Sequence, residues 1–239
     1  MNIGGGIKIG NGITIANDYV TPPGYISTGL VLYLDAGNTS SYPGTGTTWT
    51  DLSTNHLAGT MNSGIAYSSA NGGSMTFNGS IYATVNVTGA SAVTGLTNNM
   101  SIEAWYKSTN NAPQIMATGS GSGGLDFGSG SGANATKWKV TKYGVVDIYI
   151  GSVPQNTNWH QVVVTYSSTA GTVVYVDGVS SGTDSGTTAL RAGSSNIPIG
   201  QGEYGYHTGS MGIVRWYNIA LTSDQVAQNF AANRTRFGI

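Results

Sequence analysis

Seven segments of the chain alternate apolar with polar residues or carry runs of β-branched residues, a pattern typical of half-buried β-strands. Loops rich in Gly, Ser, Asn and Thr separate them, so the strands are short and the turns are many. In chain order the segments are LVLYLDAG, SMTFNGSIYATVNV, MSIEAWYKS, KWKVTKYGVVDIYIG, WHQVVVTYS, TVVYVDGVSSG and MGIVRWYNI. This pattern predicts an all-β fold built as an antiparallel β-sandwich.

Two connections in this pattern have a composition that predicts their structure. Asp177 and Gly178 are residue types that tolerate positive φ, so they predict a two-residue hairpin turn between antiparallel strands. The stretch GSGSGGLDFGSGSGANA has few side chains that can enter a core, apart from Leu125 and Phe127. It is predicted to be a long loop around one short strand.

The N-terminal segment has a different pattern, because every isoleucine in the first 20 residues falls on an odd position. A period of two places them all on one face of an extended strand. Pro22 and Pro23 then break any strand and stiffen the connection. We therefore expect an extended anchoring arm with a proline linker over residues 1–28 and a single domain over residues 29–239. The proposed contact residues of the arm are Ile3, Ile7, Ile9, Ile13 and Ile15.

The apolar face of this arm needs a partner, and two kinds are possible. An exposed strand with free backbone groups can dock on another protein or interleave with copies of itself. Alternatively, the arm adds a strand to its own sandwich. Both interpretations stay open at the level of the sequence.

The C-terminal segment changes from a period of two to a helical period, with Val226 and Phe230 four residues apart. Thr222 can cap the first turn and Gln225 can complete a capping box, while Leu221 against Val226 would form a hydrophobic staple. One short helix is therefore expected to pack its Val226/Phe230 stripe on the edge of the sandwich.

Composition excludes several classes of function. The 239 residues carry a formal net charge of −1, which leaves no basic surface for nucleic acid. The chain contains no cysteine, so disulfides and thiolate metal sites are excluded. No apolar run approaches the length of a membrane span, and the N-terminus lacks a signal-peptide pattern, so synthesis and folding in a cytoplasm are expected. No cofactor is expected.

Five segments in order resemble the LamG-like jelly-roll family, which has the concanavalin A-like lectin/glucanase fold. They are GLVLYLDAGNTSSYPGTGTTWTDLSTNHLAGT, MTFNGSIYATV, MSIEAWYK, WHQVVVTYSSTAGTVVYVDGV and GSMGIVRWYNIALTSDQVAQNF. The opening LVLYLDAGNTSSYPG and the closing NFAANRTRFGI look like the variant found in tailed-bacteriophage virion proteins. The resemblance implies a jelly roll far more specifically than it implies an activity.

This resemblance implies a structural protein of a phage virion, either a capsid decoration or cement subunit or a fibre-like surface subunit. Its expected partners are other virion proteins of the capsid or tail, further copies of itself as a homo-oligomer, and surface glycans, and its expected location is the virion surface. The alternative is a carbohydrate-binding adhesion module for host glycans. A glycan hydrolase is less favoured.

The acidic residues bear on catalysis and on calcium. Glycanases of this fold need two facing carboxylates, which the family carries on one strand, and no such cluster occurs here. Glu103 stands alone in SIEAW and is predicted to face solvent, so the chain is expected not to be an enzyme. No metal is expected, and the weak calcium candidates that the resemblance implies are Asp35, Asn38 and Asp51, which can equally stabilise turns.

Aromatic residues in glycine-rich loops are the candidates for sugar binding. The loop GQGEYGYHTG supplies the predicted surface patch of Glu203, Tyr204, Tyr206 and His207. Four tryptophans in the family-like segments are predicted to be core residues, namely Trp49, Trp105, Trp159 and Trp216. Trp138, between two lysines, is predicted to be a candidate for exposure.

Overall fold

The computed structural model of the protein describes residues 7–9, 13–15, 24–86, 96–118, 123–193 and 196–239. The strands are Ile7–Ile9 (β1), Ile13–Ile15 (β2), Leu30–Asp35 (β3), Thr48–Thr50 (β4), Ala58–Met61 (β5), Ala66–Ser68 (β6), Ser74–Asn78 (β7), Ala83–Asn86 (β8), Asn99–Ser108 (β9), Gln114–Ala117 (β10), Leu125–Ser129 (β11), Trp138–Lys142 (β12), Val146–Ile150 (β13), His160–Ser167 (β14), Gly171–Val176 (β15), Val179–Asp184 (β16), Asn196–Ile199 (β17), Gln201–Gly202 (β18), Gly205–Tyr206 (β19) and Thr208–Tyr217 (β20). Helix α1 covers Ser223–Phe237, and short 3-10 turns cover Ala70–Gly72 and Gly132–Asn134.

Most of these strands form two antiparallel sheets, which confirms the predicted β-sandwich. The front sheet has the order β13-β12-β11-β10-β17-β8-β5-β4. The back sheet has the order β16-β15-β14-β9-β20-β7-β6, and β3 pairs with β20 beside β7. Non-consecutive neighbours such as β9 and β20 show that distant parts of the chain meet at the centre of the back sheet.

The main hydrophobic core lies between the two sheets. It contains Trp49 and Trp216, as predicted, and it also contains Trp138. The interpretation of Trp138 as an exposed residue was wrong, because Trp138 is fully buried and its Nε1 donates to Ser152 O at 3.1 Å. Leu125 and Phe127 enter the same core from β11, which confirms a short strand inside the glycine-rich stretch.

Helix α1 forms a third layer on the outer face of the back sheet. Its predicted capping box is present, with Thr222 accepting from Gln225 N–H and the Gln225 side chain accepting from Thr222 N–H. The sequence suggested that the helix packs on the edge of the sandwich, and this was wrong, because the helix covers the outer face of the back sheet. The Trp105 ring stacks against Phe230 and Phe237 at centroid distances of 5.7 and 4.5 Å. In the part of the chain described here, no helix is long and apolar enough to cross a membrane.

The helix also buries a charged group that the sequence placed in solvent. Glu103 is fully buried and pairs with Arg215, whose Nη1 lies 3.0 Å from Glu103 Oε1. Trp105 and Gln161 donate to the same oxygen, and Asn229 of α1 donates to Oε2 at 2.7 Å. The prediction of a solvent-facing Glu103 was therefore wrong, because the outer face of the back sheet is covered by α1.

The predicted hairpin turn at Asp177–Gly178 is confirmed. Both residues have positive φ, 50° and 79°, and they join the antiparallel strands β15 and β16. A β-carbon at Gly178 would lie 3.1 Å from Phe230 Cβ, so glycine here also allows the helix to approach.

The anchoring arm is described only at β1 and β2. These strands pair antiparallel in a two-stranded sheet, with Ile7 opposite Ile15 and Ile9 opposite Ile13. Strand conformation at these six residues agrees with the period of two in the sequence. Ile3 and the proline pair lie outside the described residues, and the anchoring role of the arm stays a prediction.

Candidate functional site

A small hairpin crosses the outer face of the front sheet and builds the candidate site there. It consists of β18 and β19 with the turn at Glu203 and Tyr204. Glu203 N–H donates to Asp126 Oδ1 of β11 at 3.1 Å. A β-carbon at Gly202 would collide with Gln114 and would lie 2.8 Å from Asp126 Oδ1, so only glycine allows this close approach.

Beneath the hairpin, three carboxylates from three elements surround one lysine. Lys139 of β12 is fully buried and forms an ion pair with Glu203. Its Nζ also lies 3.9 Å from Asp147 Oδ1 of β13. The third carboxylate, Asp126, is almost completely buried, whereas the side chains of Asp147 and Glu203 are 45% and 42% exposed. One ammonium is thus shared between two solvent-accessible carboxylates.

Burial and charge set the protonation of these groups. Burial raises the pKa of Asp126 to about 7, against the opposing effects of Lys139 and of the Glu203 N–H. Burial alone would lower the pKa of Lys139, but the hydrogen bond with Glu203 and the three neighbouring carboxylates outweigh it and raise that pKa. Lys139 therefore stays an ammonium ion at neutral pH, while Asp126 exchanges its proton there.

Two tyrosines stand at the exposed side of this cluster. Tyr149 of β13 and Tyr204 share a hydrogen bond between their hydroxyl groups at 3.0 Å, which raises the pKa of Tyr149 to about 12. Lys139 Nζ lies 4.3 Å from the centroid of the Tyr204 ring, in cation–π geometry. Tyr204 is nevertheless 43% exposed, so its ring can still meet a ligand.

A groove of about 680 Å³ opens beside these residues, and one of the polar groups that line it is unsatisfied. Its lining residues are Thr141, Lys142, Tyr143, Gly144, Val145, Val146, Asp147 and Glu203. Thr141 is buried, and its Oγ1 has no hydrogen-bond partner among the described residues. It shares the outer face of β12 with Lys139, because residues i and i+2 of a strand point the same way. A buried hydroxyl without a partner is unfavourable unless water or a ligand completes it.

The hairpin separates the four predicted sugar-binding residues. Glu203 lines the groove, and Tyr204 is the next residue in the turn. Tyr206 stacks on Tyr82, which precedes β8, with centroids 5.9 Å apart. His207 is fully buried, packs edge-on against Phe77 at 5.8 Å and has its pKa lowered to about 4 by burial. His207 therefore cannot belong to the surface patch.

The three weak calcium candidates all serve local structure. Asp35 Oδ1 receives a hydrogen bond from Arg236 at 2.7 Å. Asp51 accepts from backbone N–H groups of Tyr33 and Leu57, and Asn38 accepts from the N–H two residues later, as in an Asx turn. No group of three or more His, Cys, Asp or Glu side chains suited to a metal ion occurs in the described ranges.

Sequence reasoning missed most of the site. It did not single out Asp126, Lys139, Thr141, Asp147 or Tyr149. Alternation along KWKVTKYGVVDIYI does place the β12 and β13 members on the polar face of their strands, so the face could have been predicted. These residues meet Glu203, which lies at least 54 positions later in the chain, only because of the order of strands in the sheet.

The arrangement favours binding over catalysis. A glycosidase needs two carboxylates with a reacting bond between them, but here the Lys139 ammonium occupies the space between Asp147 and Glu203. Asp126 is covered by Gly202 and bonded to the hairpin backbone. What the site offers to solvent is an exposed ring and carboxylate oxygens, and the groove wall contains one buried hydroxyl without a partner.

The comparisons with known proteins concern the same fold. A family model described as the concanavalin A-like lectin/glucanases superfamily matches residues 77–227, more than half of the chain. No curated protein matches the chain.

Three solved structures are similar in fold at low sequence identity. The binding domain of botulinum neurotoxin DC, solved with rat synaptotagmin II, has a TM-score of 0.67 and 12% identity, over 86% of this chain and 52% of that one. Domain 4 of AbnA, an extracellular arabinanase of Geobacillus stearothermophilus, was solved in complex with arabinotriose. It has a TM-score of 0.65 and 17% identity, over 84% of this chain and 98% of that one. Trypanosoma rangeli sialidase with the inhibitor DANA has a TM-score of 0.59 and 18% identity, over 87% of this chain and 33% of that one. This chain thus spans about half the length of the toxin domain.

Proposed function

Because this chain belongs to the concanavalin A-like lectin/glucanases superfamily, we propose that it is a carbohydrate-binding domain that holds a saccharide in the groove of the front sheet. The observation that carries this proposal is Tyr204, an exposed ring that lies next to the groove residue Glu203 in the hairpin turn, while the groove itself is lined by carboxylates and by Thr141 with its unpaired hydroxyl. A pyranose has apolar C–H faces that pack on an aromatic ring and hydroxyl groups that need hydrogen-bond partners. The Tyr204 ring and the polar groups of the adjacent groove offer an aromatic surface and hydrogen-bond partners side by side.

The similar structures support this choice of ligand class without deciding it. The Geobacillus arabinanase domain was solved with arabinotriose, and cell entry of botulinum neurotoxin type C is described as dependent on interaction with two ganglioside molecules. Their identities to this chain, 17% and 12%, support the shared fold only. The argument for a saccharide therefore depends on the groove itself.

Replacing Tyr204 with alanine is expected to weaken saccharide binding about tenfold or more, since Tyr204 is the most exposed of the described aromatic rings at this hairpin. Binding to a glycan array, followed by calorimetry on the glycans that bind, measures the effect. Tyr67→Ala is the matched control, because Tyr67 is similarly exposed at 37% but lies on β6 of the back sheet. Equal binding by Tyr204→Ala and the wild-type protein would contradict the proposal.

We infer no hydrolytic activity. Glu103, the lone glutamate of its strand, is held in a buried ion pair, and the groove carboxylates are separated by Lys139. The proposed role is recognition of a glycan that remains intact.

A second candidate function follows from the arm. β1 and β2 place isoleucines opposite one another in a two-stranded sheet, and the virion-type segments of the sequence favour a structural subunit. In this role the chain is a capsid decoration or fibre-like protein on a phage surface, anchored through residues 1–28 to capsid or tail proteins or to copies of itself. The sandwich then displays its groove outward, and repeated copies strengthen weak glycan binding.

Deleting residues 1–20 is expected to abolish assembly while leaving the sandwich folded, because the arm carries the apolar contact surface. Light scattering reports the oligomeric mass, and co-sedimentation reports incorporation into particles that the full chain joins. Circular dichroism of the truncated chain serves as the folding control. Unchanged mass and unchanged incorporation would refute the anchor and leave the carbohydrate-binding proposal intact.

A further inference from the structure

The charges at the groove do not cancel. The carboxylates of Asp147 and Glu203 line it, and the buried Lys139 ammonium and Asp126 carboxylate lie directly behind them. Lys142 also lines the groove, but its ammonium is turned away, 3.1 Å from Thr188 O and 3.8 Å from the Tyr166 ring centroid. At least one negative charge is left over at the groove whether or not Asp126 is ionised.

This excess charge is accessible to a ligand. Lys139 contacts Glu203 through Oε2 and approaches Asp147 through Oδ1. The second oxygen of each carboxylate, Glu203 Oε1 and Asp147 Oδ2, has no protein donor among the described residues, and both side chains are nearly half exposed. Two carboxylates that share one cation can accept a second one.

An independent feature points to a ligand at the same place. Thr141 Oγ1 is buried and unpaired, and Thr141 stands directly opposite Asp126 in the β11–β12 register. This hydroxyl can accept a hydrogen bond from a group that enters the groove. A ligand that brings N–H donors therefore satisfies the hydroxyl and the carboxylates together.

We propose, on the basis of the carbohydrate-binding function above, that the groove selects saccharides with a free amino group. The ligand's ammonium contacts Glu203 Oε1 and Asp147 Oδ2, the carboxylate oxygens that Lys139 leaves free, and the sugar ring packs against Tyr204. The same charges repel saccharides that carry carboxylate or sulfate groups. The groove is thus selective by charge, and sialylated or uronic-acid glycans are poor ligands for it.

A pair of trisaccharides with one backbone tests the selectivity. A glucosamine trisaccharide carries ammonium groups, and its N-acetylated counterpart is neutral, so the two differ only at nitrogen. Calorimetry at pH 6.5 is expected to show the amino form binding about five- to tenfold more tightly, a difference that shrinks as salt is added. A sialylated trisaccharide measured in parallel is expected to bind more weakly than either.

Asp147→Asn assigns the effect to the groove. It removes one accessible negative charge with little change in shape, so the preference for the amino form is expected to fall about fivefold, while binding of the N-acetylated form changes less than twofold. Asp224→Asn, in the first turn of α1 on the opposite side of the sandwich, is the control and is expected to leave both affinities unchanged.

The outcomes separate this inference from the function on which it rests. If binding depends on Tyr204 but the N-acetylated or sialylated form binds as tightly as the amino form, the charge selectivity is overturned and the carbohydrate-binding function stands. If neither trisaccharide binds, the glycan array decides. Anionic or neutral ligands that depend on Tyr204, with no amino sugar among them, overturn the selectivity alone. An array with no ligand that depends on Tyr204 overturns both proposals. A preference for the amino form that survives in Asp147→Asn also overturns the assignment to this groove.

Discussion

Replacing Arg215 with methionine is expected to lower the free energy of unfolding by about 3–5 kcal/mol, since it leaves the fully buried Glu103 carboxylate without its cation. The guanidinium packs against the rings of Tyr25 and Tyr33, with centroids at 4.4 and 4.7 Å, so this packing is lost as well. The neutral donors that remain on Glu103 cannot replace a positive charge in this layer. Urea denaturation followed by tryptophan fluorescence measures the loss.

The double variant Glu103→Gln/Arg215→Met separates charge from packing. It removes both charges, so it is expected to recover more than half of the stability that Arg215→Met loses. Glu103→Gln alone is expected to be destabilising too, because it leaves the buried guanidinium without its counter-ion. Equal stability of Arg215→Met and the double variant would show that the ion pair is not the cause.

The second large effect concerns pH. Asp126→Asn is expected to raise the free energy of unfolding by about 2–4 kcal/mol at pH 8 and to leave it nearly unchanged at pH 4. The pKa of Asp126 is about 7 in the folded protein and 3.8 without burial, so the folded state binds more protons between these values. Stability contributed by this group therefore falls as pH rises from about 4 to 7. An asparagine keeps an acceptor for Glu203 N–H and carries no charge to bury.

His207 acts in the opposite direction in the wild-type protein. Burial lowers its pKa from 6.5 to about 4, so the unfolded chain binds more protons in this window and stability rises with pH. Between pH 4 and 6.5, the fall in stability caused by Asp126 and the rise caused by His207 largely cancel. In Asp126→Asn only the histidine effect remains, and stability is expected to rise by about 2–3 kcal/mol from pH 4 to 6.5.

Thermal and urea unfolding of the wild-type protein and the variant, measured from pH 4 to 8, tests this pair of effects. Asp224→Asn is the control, because this carboxylate lies in the first turn of α1, away from Asp126. A stability change for Asp126→Asn that is the same at pH 4 and pH 8 would show that Asp126 is not the titrating group.

The local elements were well predicted because their causes are local. Alternation in the seven segments located the main strands, and the residue types at Asp177–Gly178 and at Thr222 and Gln225 were enough for a hairpin turn and a capping box. The family resemblance supplied the sandwich that these elements build. The strands, the hairpin turn and the capping box each depend on residues a few positions apart.

Errors arose wherever a residue's environment depends on distant parts of the chain. Alternation places Glu103 on the outer face of β9, but it does not say that α1 covers that face. His207 lies in a glycine-rich loop, yet its ring enters the core beside Phe77. Trp138 lies between two lysines, and one of them, Lys139, is itself buried under the β18–β19 hairpin.

By itself, the sequence determined that this chain is an antiparallel β-sandwich with a capped C-terminal helix, because strand period, turn residues and caps act over short distances. Only the tertiary structure decided that Asp126, Lys139, Asp147 and Glu203 form one site and that Glu103 does not belong to it. Strand order and the covering layers assemble a site from separate segments, and burial then sets the charge of each group. No local pattern carries that information.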